Sequence, residues 1–260
     1  DPVGVHALAC VFEFQPEVSR QWKGRPGCYC SAALEDSAII THARNRRLFM
    51  NNHLNILEYD RVTVCNDGES VLENFCLKLR KGEKVVITGR SGVGKTTVLR
   101  LPLGFRRPDA GHVLYKGTKI DEHLVWDVRR EVAYISQDVA LGHGTVQQFL
   151  DRMFSYRVNA SLRSGRKQLA EELARLELPV SILKKSLADI SGGEKQRIGI
   201  LAALLLKRDI FLLDEITAAL DPHLKQHIMT MFFKEPAWTV LAVSHDAPAE
   251  TVGIREVKLG

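Results

Sequence analysis

The stretch Val85-Val86-Ile87-Thr88-Gly89-Arg90-Ser91-Gly92-Val93-Gly94-Lys95-Thr96-Thr97-Val98-Leu99-Arg100 decides the fold. Its first four residues are apolar or β-branched and read as a short buried parallel strand, while its last four continue into a helix. Between strand and helix stands G-x-x-x-x-G-K-T, from Gly89 to Thr96. Glycines at this spacing let successive backbone N–H groups turn inward around phosphate oxygens, and the helix start adds positive dipole potential. In such a loop Lys95 is expected to reach the β- and γ-phosphates of a nucleotide, and Thr96 to hold Mg²⁺. The candidate nucleotide-binding residues here are Gly89, Arg90, Ser91, Gly92, Val93, Gly94, Lys95, Thr96 and Thr97.

A phosphate loop needs a metal-holding carboxylate and a proton acceptor. Ile210-Phe211-Leu212-Leu213-Asp214-Glu215 supplies both at the end of a second apolar strand. Open α/β sheets bind ligands at the carboxyl ends of their strands, which is where Asp214 falls. Mg²⁺ takes few carboxylates and keeps waters, so Asp214 is expected to hold it directly or through water. Glu215 is then placed to accept a proton from the attacking water. Ser191-Gly192-Gly193-Glu194-Lys195-Gln196-Arg197 opens a helix whose inner face carries Ile198, Leu201, Ala202 and Leu205. Ser191 with Glu194 is a capping box, so one reading is a well-capped helix. The two glycines favour another, in which a phosphate approaches the helix N-terminus closely.

The chain has 260 residues, 45% of them hydrophobic, enough for one α/β domain with a subdomain or for two small domains. Its longest apolar run, Ile198 to Leu206, is about half the roughly 20 residues a membrane-spanning helix needs. The charge of +5 is scattered; it suits anionic nucleotides or lipid headgroups and does not argue for DNA. Cys10, Cys28, Cys30, Cys65 and Cys76 show no C-x-x-C spacing, and reduced thiols are expected. Residues 1–49 lack helix or strand periodicity and fit no signal or transit peptide. Met50 is expected as the native start, with 1–49 a loosely ordered or non-native extension and 50–260 the nucleotide-binding domain.

From Leu54 the pattern becomes regular. Ile56, Leu57, Val62 and Val64, then Val71 and Leu72, predict two strands joined at Asn66-Asp67-Gly68. Phe75, Leu77 and Leu79 predict a further strand, and His112-Val113-Leu114-Tyr115 and Ala133-Tyr134-Ile135-Ser136 two more. Residues from about Thr145 to Leu187 read as helical until Pro179, with Glu171 four residues before Arg175 in the favourable orientation for an ion pair. A small helical subdomain is therefore expected over about 138–190.

Taken together, Gly89 to Thr96, Gln137, Ser191 to Arg197, Leu212 to Glu215, Ala218-Ala219-Leu220-Asp221 and Ser244-His245-Asp246 resemble, in order, the motifs of ATP-binding cassette (ABC) ATPases. The resemblance covers about residue 54 to the end. It implies an α/β P-loop NTPase fold of ABC-ATPase type, with a mixed-sheet core, an antiparallel β subdomain and a small α-helical subdomain. It further implies an ATPase that binds ATP and Mg²⁺ as the nucleotide-binding subunit of a transporter. By resemblance, Gln137 would touch the Mg²⁺ or the attacking water, and His245 would hold the γ-phosphate and orient Glu215. Ser191, Gly192, Gly193 and Glu194 would meet the nucleotide of a partner copy, and Asp221 would lie in the loop linking the two sites. The implied partners are a second identical copy in the ATP-bound state and an integral membrane permease, with no nucleic acid. The implied location is cytoplasmic, peripheral on the inner face of the cell membrane.

A narrower resemblance, carried by Leu178 to Lys185, Ser191 to Arg197 and Leu213 to Asp221, is to FetA-type iron-export ATPase subunits. Two positions depart from the family pattern. The site of the usual base-stacking aromatic falls at Cys65 or Asn66, with Tyr59 too early and expected in the sheet, so loose base preference is expected. Ala218 replaces a common serine, which predicts weaker coupling between sites. The alternative reading is a soluble ABC ATPase acting on nucleic acid or ribosomes; such proteins usually carry two cassettes or a long coiled-coil insertion, and this sequence contains neither. Lys95, Asp214, Glu215 and His245 argue against a catalytically silent cassette.

Overall fold

A computed structural model gives the architecture and describes residues 55–66, 69–244 and 253–260. The expected extension 1–49, Met50, most of the predicted turn at 67–68, and His245-Asp246 lie outside the described residues. One group of strands comprises β1 (Asn55–Asn66), β2 (Glu69–Arg80), β4 (Ala110–Tyr115) and β5 (Thr118–Lys119). The other comprises β3 (Lys84–Gly89), β6 (Val132–Ile135), β7 (Ile210–Asp214), β8 (Thr239–Val243) and β9 (Ile254–Leu259). The expected mixture of antiparallel and parallel strands is partitioned between two sheets, an antiparallel β2-β1-β4-β5 and a parallel β6-β7-β8-β3-β9. The helices are α1 (Lys95–Arg100), α2 (Leu124–Glu131), α3 (Val146–Ser155), α4 (Arg166–Arg175), α5 (Gly192–Leu205) and α6 (Pro222–Lys234). Among the described residues, no helix is long and apolar enough to cross a membrane.

Three expectations are corrected. The strands predicted at Val71-Leu72 and Phe75–Leu79 are one continuous β2. Asn74 takes a left-handed φ of 46° within it, and the register against β1 slips at that level, so an irregularity is absorbed without ending the strand. The helical span from Thr145 to Leu187 is broken into α3, α4 and short 3₁₀ turns at Ala160–Leu162 and Val180–Lys184. The buried Asn159 amide donates to Met153 O at 3.0 Å, and α4 ends before Pro179, with Glu177 at φ 53° and Leu178 N–H returning to Leu173 O at 2.9 Å. Third, Arg175 pairs with Glu172 (3.8 Å) rather than with Glu171.

The parallel sheet sorts the core by parity. Phe211, Leu213, Val240 and Ala242 face a cluster with α3, α5 and α6, while Leu212, Leu241, Val243 and Tyr134 face one with β1, β2 and α1. Every residue of α5 from Ile198 to Leu205 is buried, not only its predicted inner face, as befits a helix enclosed on all sides. Each fully buried Leu or Ile there contributes about 1.5–3 kcal/mol.

Candidate functional site

The phosphate loop leaves β3 at Gly89 and enters α1 at Lys95. Lys95 is buried, and its ammonium donates to the Gly89 and Arg90 carbonyls at 2.8 and 2.9 Å, crossing the loop it is expected to serve. Arg90, Ser91 and Gly92 are exposed, while Val93, Thr96 and Thr97 are half-buried. Gly94 has φ +95°, and a Cβ there would lie 2.9 Å from Val71 Cγ1 and from Val71 O. A side chain is thus excluded both by conformation and by the β2 backbone. A Cβ at Gly89 would stand 2.5 Å from Leu259 O on the neighbouring strand.

Parity places Asp214 at the end of β7 on the same sheet face as Tyr134 and α1. Its carboxylate is 2% exposed and accepts from Thr96 Oγ1 at Oδ1 (3.0 Å) and from the Tyr134 hydroxyl at Oδ2 (3.2 Å). Burial raises its pKa, opposed by those two hydroxyls and by the Arg100 charge. A hydroxyl beside one buried carboxylate, at the mouth of a phosphate loop, is a donor set that suits Mg²⁺, which fills its remaining positions with phosphate and water. Glu215 follows with a left-handed φ of 49°, and its N–H donates to Val243 O on β8 at 3.1 Å. Non-glycine residues hold this conformation uncommonly, at strand irregularities and helix ends such as Asn74 and Glu177 as well as at working sites. The half-buried Glu215 is thereby turned off the strand's alternation at the carboxyl end of the sheet.

The helix α5 begins as its sequence predicts. Glu194 N–H donates to Ser191 Oγ at 3.2 Å, and Ser191 N–H to Glu194 Oε2 at 2.7 Å, closing the capping box. Lys185 Nζ reaches both Glu194 oxygens at 3.0 Å. Ser191's backbone N–H, then Lys185, hold the Glu194 carboxyl below its ordinary range. Lys185 is brought there by the start of α3, whose Val146 N–H donates to Lys185 O at 3.1 Å. Gln196, buried on α5, donates to Ser136 O at 3.4 Å, bolting the helix to the end of β6.

Gln137 emerges exposed after β6 and lines a cavity of about 290 Å³ with Asp138, Gly192, Lys195, Gln196 and Ala219. None of that lining comes from Gly89 to Thr96. The hydrogen bonds of Asp214 are made by Thr96 and Tyr134, and Gln137 shares its cavity with Gly192, at the start of α5. Asp221 caps α6, accepting from Leu224 N–H at 3.0 Å with Pro222 at the first helical position. Tyr59 is a sheet residue as expected, fully buried, its hydroxyl donating to Val98 O at 2.9 Å. Cys65 is a half-buried free thiol whose N–H donates to Asp109 at 2.7 Å, and Asn66 beside it is exposed.

Residues 72–218 match the family model described as "ABC transporter". The chain belongs to the ABC transporter ATP-binding family. This cassette is 34% identical over 194 residues to "Probable iron export ATP-binding protein FetA" of Escherichia coli strain K12, covering 74% of this chain and 85% of that protein. It is 33% identical over 196 residues to "Spermidine/putrescine import ATP-binding protein PotA" of Mesoplasma florum, covering 74% of this chain and 55% of that one. The cassette therefore spans about half the length of PotA. In structure it resembles the dimeric, post-hydrolysis ATP-binding cassette MJ0796 bound to ADP and Pi, with a TM-score of 0.65 and 28% identity, over 78% of this chain and 94% of that one. ATP binding and ATPase chemistry follow from the family, and its relatives include importers and exporters. In the sequence Tyr134 reads only as a strand residue, and Lys185 and Gln196 only as members of longer motifs, because each acts here through a contact that only the folded chain creates.

Proposed function

We propose that two copies of this cassette close around two Mg²⁺–ATP molecules, and that hydrolysis drives a separate membrane permease from the cytoplasmic face. The observation that carries the reading is the 3.0 Å contact of Thr96 with Asp214, one residue before the turned-out Glu215. In this reading the Gly89–Thr97 loop and Lys95 bind the triphosphate, while Thr96, Asp214 and Gln137 hold Mg²⁺. The metal, when bound, neutralises charge on the β- and γ-phosphates. Glu215 accepts the proton of the attacking water, and His245 orients it. Ser191 to Glu194 complete the partner's site, and Asp221 anchors the loop between the sites. Support for a second copy comes from the Gly192 cavity, whose lining includes no phosphate-loop residue, and from the dimeric MJ0796 cassette. The cassette is taken as residues 50–260, with a helical subdomain over about 138–190.

Replacing Glu215 by Gln is expected to lower steady-state hydrolysis at least about 100-fold while nucleotide binding persists. Unchanged turnover would remove Glu215 from its role. For the cargo we propose iron, moved outward, supported by the likeness to FetA over 85% of that protein's length. The test is ATP-dependent iron uptake into inverted vesicles that carry the cassette with its permease. Uptake only in right-side-out vesicles, or none, refutes export.

A further inference from the structure

We propose that Tyr134 is a positioning residue for the metal carboxylate. Its hydroxyl holds Oδ2 of Asp214, so that Oδ1 stays turned toward Thr96 and the metal those two residues take up. The inference rests on the Mg²⁺–ATP reading above and adds a side chain that the family motifs do not include.

The geometry follows from register. Tyr134 on β6 pairs with Leu212 on β7, and Leu212 and Asp214 share a face, so the phenol needs to extend only one side-chain spacing along β7 to reach the strand end. The ring is fully buried and packs against Phe105, with centroids 6.2 Å apart, which fixes its direction. Each oxygen of a carboxylate that is 2% exposed thus has a different hydroxyl: Thr96 on Oδ1 at 3.0 Å, Tyr134 on Oδ2 at 3.2 Å. Thr96 Oγ1, serving as a ligand, would give up part of its contact with Oδ1 when metal is taken up. The Tyr134 hydroxyl sits on the other oxygen, Oδ2, and so keeps that side of the carboxylate in place while Oδ1 changes partner. Groups that orient a ligating carboxylate from behind typically govern about 10–100-fold in metal affinity.

The test is a Mn²⁺ titration followed by electron paramagnetic resonance, on the full chain with a non-hydrolysable ATP analogue. Tyr134→Phe keeps the packed ring and removes only the hydroxyl. The Mn²⁺ dissociation constant is expected to rise about tenfold, with metal-free affinity for the analogue unchanged. In an Asp214→Asn background, where the carboxylate is gone, Tyr134→Phe should produce no further change. An unchanged Mn²⁺ constant in Tyr134→Phe, a parallel loss of metal-free nucleotide affinity, or an equal effect in the Asp214→Asn background overturns the proposal. A wild-type chain that takes up no Mn²⁺ with the analogue overturns the nucleotide reading itself, and the proposal with it.

Discussion

Ser191→Ala separates the two readings of the Ser191–Glu194 turn. The Ser191 hydroxyl accepts the Glu194 N–H at 3.2 Å, and Ser191 is exposed. As a cap alone, its loss costs about 1 kcal/mol of helix stability, which for a domain of this size lowers Tm by about 2–4 °C. A hydroxyl has one proton to donate beyond the hydrogen bond it accepts, so Ser191 can cap α5 and still donate to a partner's γ-phosphate. A hydrogen bond to a charged group contributes about 1.5–3 kcal/mol. Two symmetric sites would then lose about 3–6 kcal/mol, raising the dimer dissociation constant about 10²–10⁴-fold. The assay is sedimentation equilibrium with Mg²⁺–ATP in a Glu215→Gln background, paired with melting of the nucleotide-free chain. A Tm drop with the dimer constant moved less than about threefold would leave Ser191 a cap and nothing more.

Gly94→Ala forces a left-handed alanine whose Cβ stands 2.9 Å from Val71 O, an atom that cannot step aside cheaply. A loss of about 2–5 kcal/mol in urea unfolding is expected from strain and overpacking, and a loss under 1 kcal/mol would contradict the close contact. With Cys65 and Asn66 where the base should stack, ATP and GTP are expected to bind within about tenfold of each other, since one lost stacking contact is worth about 1 kcal/mol; calorimetry showing a strong ATP preference would refute this. Because the Glu194 carboxyl is held below its ordinary value, its contribution is present above about pH 4.3 and is lost as pH falls through the lowered value. Wild type should therefore melt above Glu194→Gln near pH 7 and converge with it in acid, whereas a gap independent of pH would dissociate Glu194 from Lys185.

The parts of the site legible in the sequence are those whose chemistry is local in the chain. The phosphate loop lies between β3 and α1 as read, because apolar strand, glycines and helix former follow one another without a gap. The capping box at Ser191 was equally legible, being a three-residue relation. What escaped depends on distance across the fold. Tyr134 read as one more apolar strand residue, and only its register with Leu212 carries the phenol to Asp214. Lys185 read only as one residue of the Leu178–Lys185 stretch beyond Pro179; it reaches Glu194 because Thr145 pairs with Ser186. The three strands predicted over 54–79 became two because the left-handed Asn74 bends a strand without ending it, a freedom that apolar alternation does not reveal.

If nucleotide is shared between two copies of this chain, the mass in solution of the Glu215→Gln chain with Mg²⁺ and ATP shows it. The predicted result is a particle of twice the 29.2 kDa of one chain, reverting to one chain when ATP is replaced by ADP. A particle of 29.2 kDa with ATP demonstrably bound would contradict it.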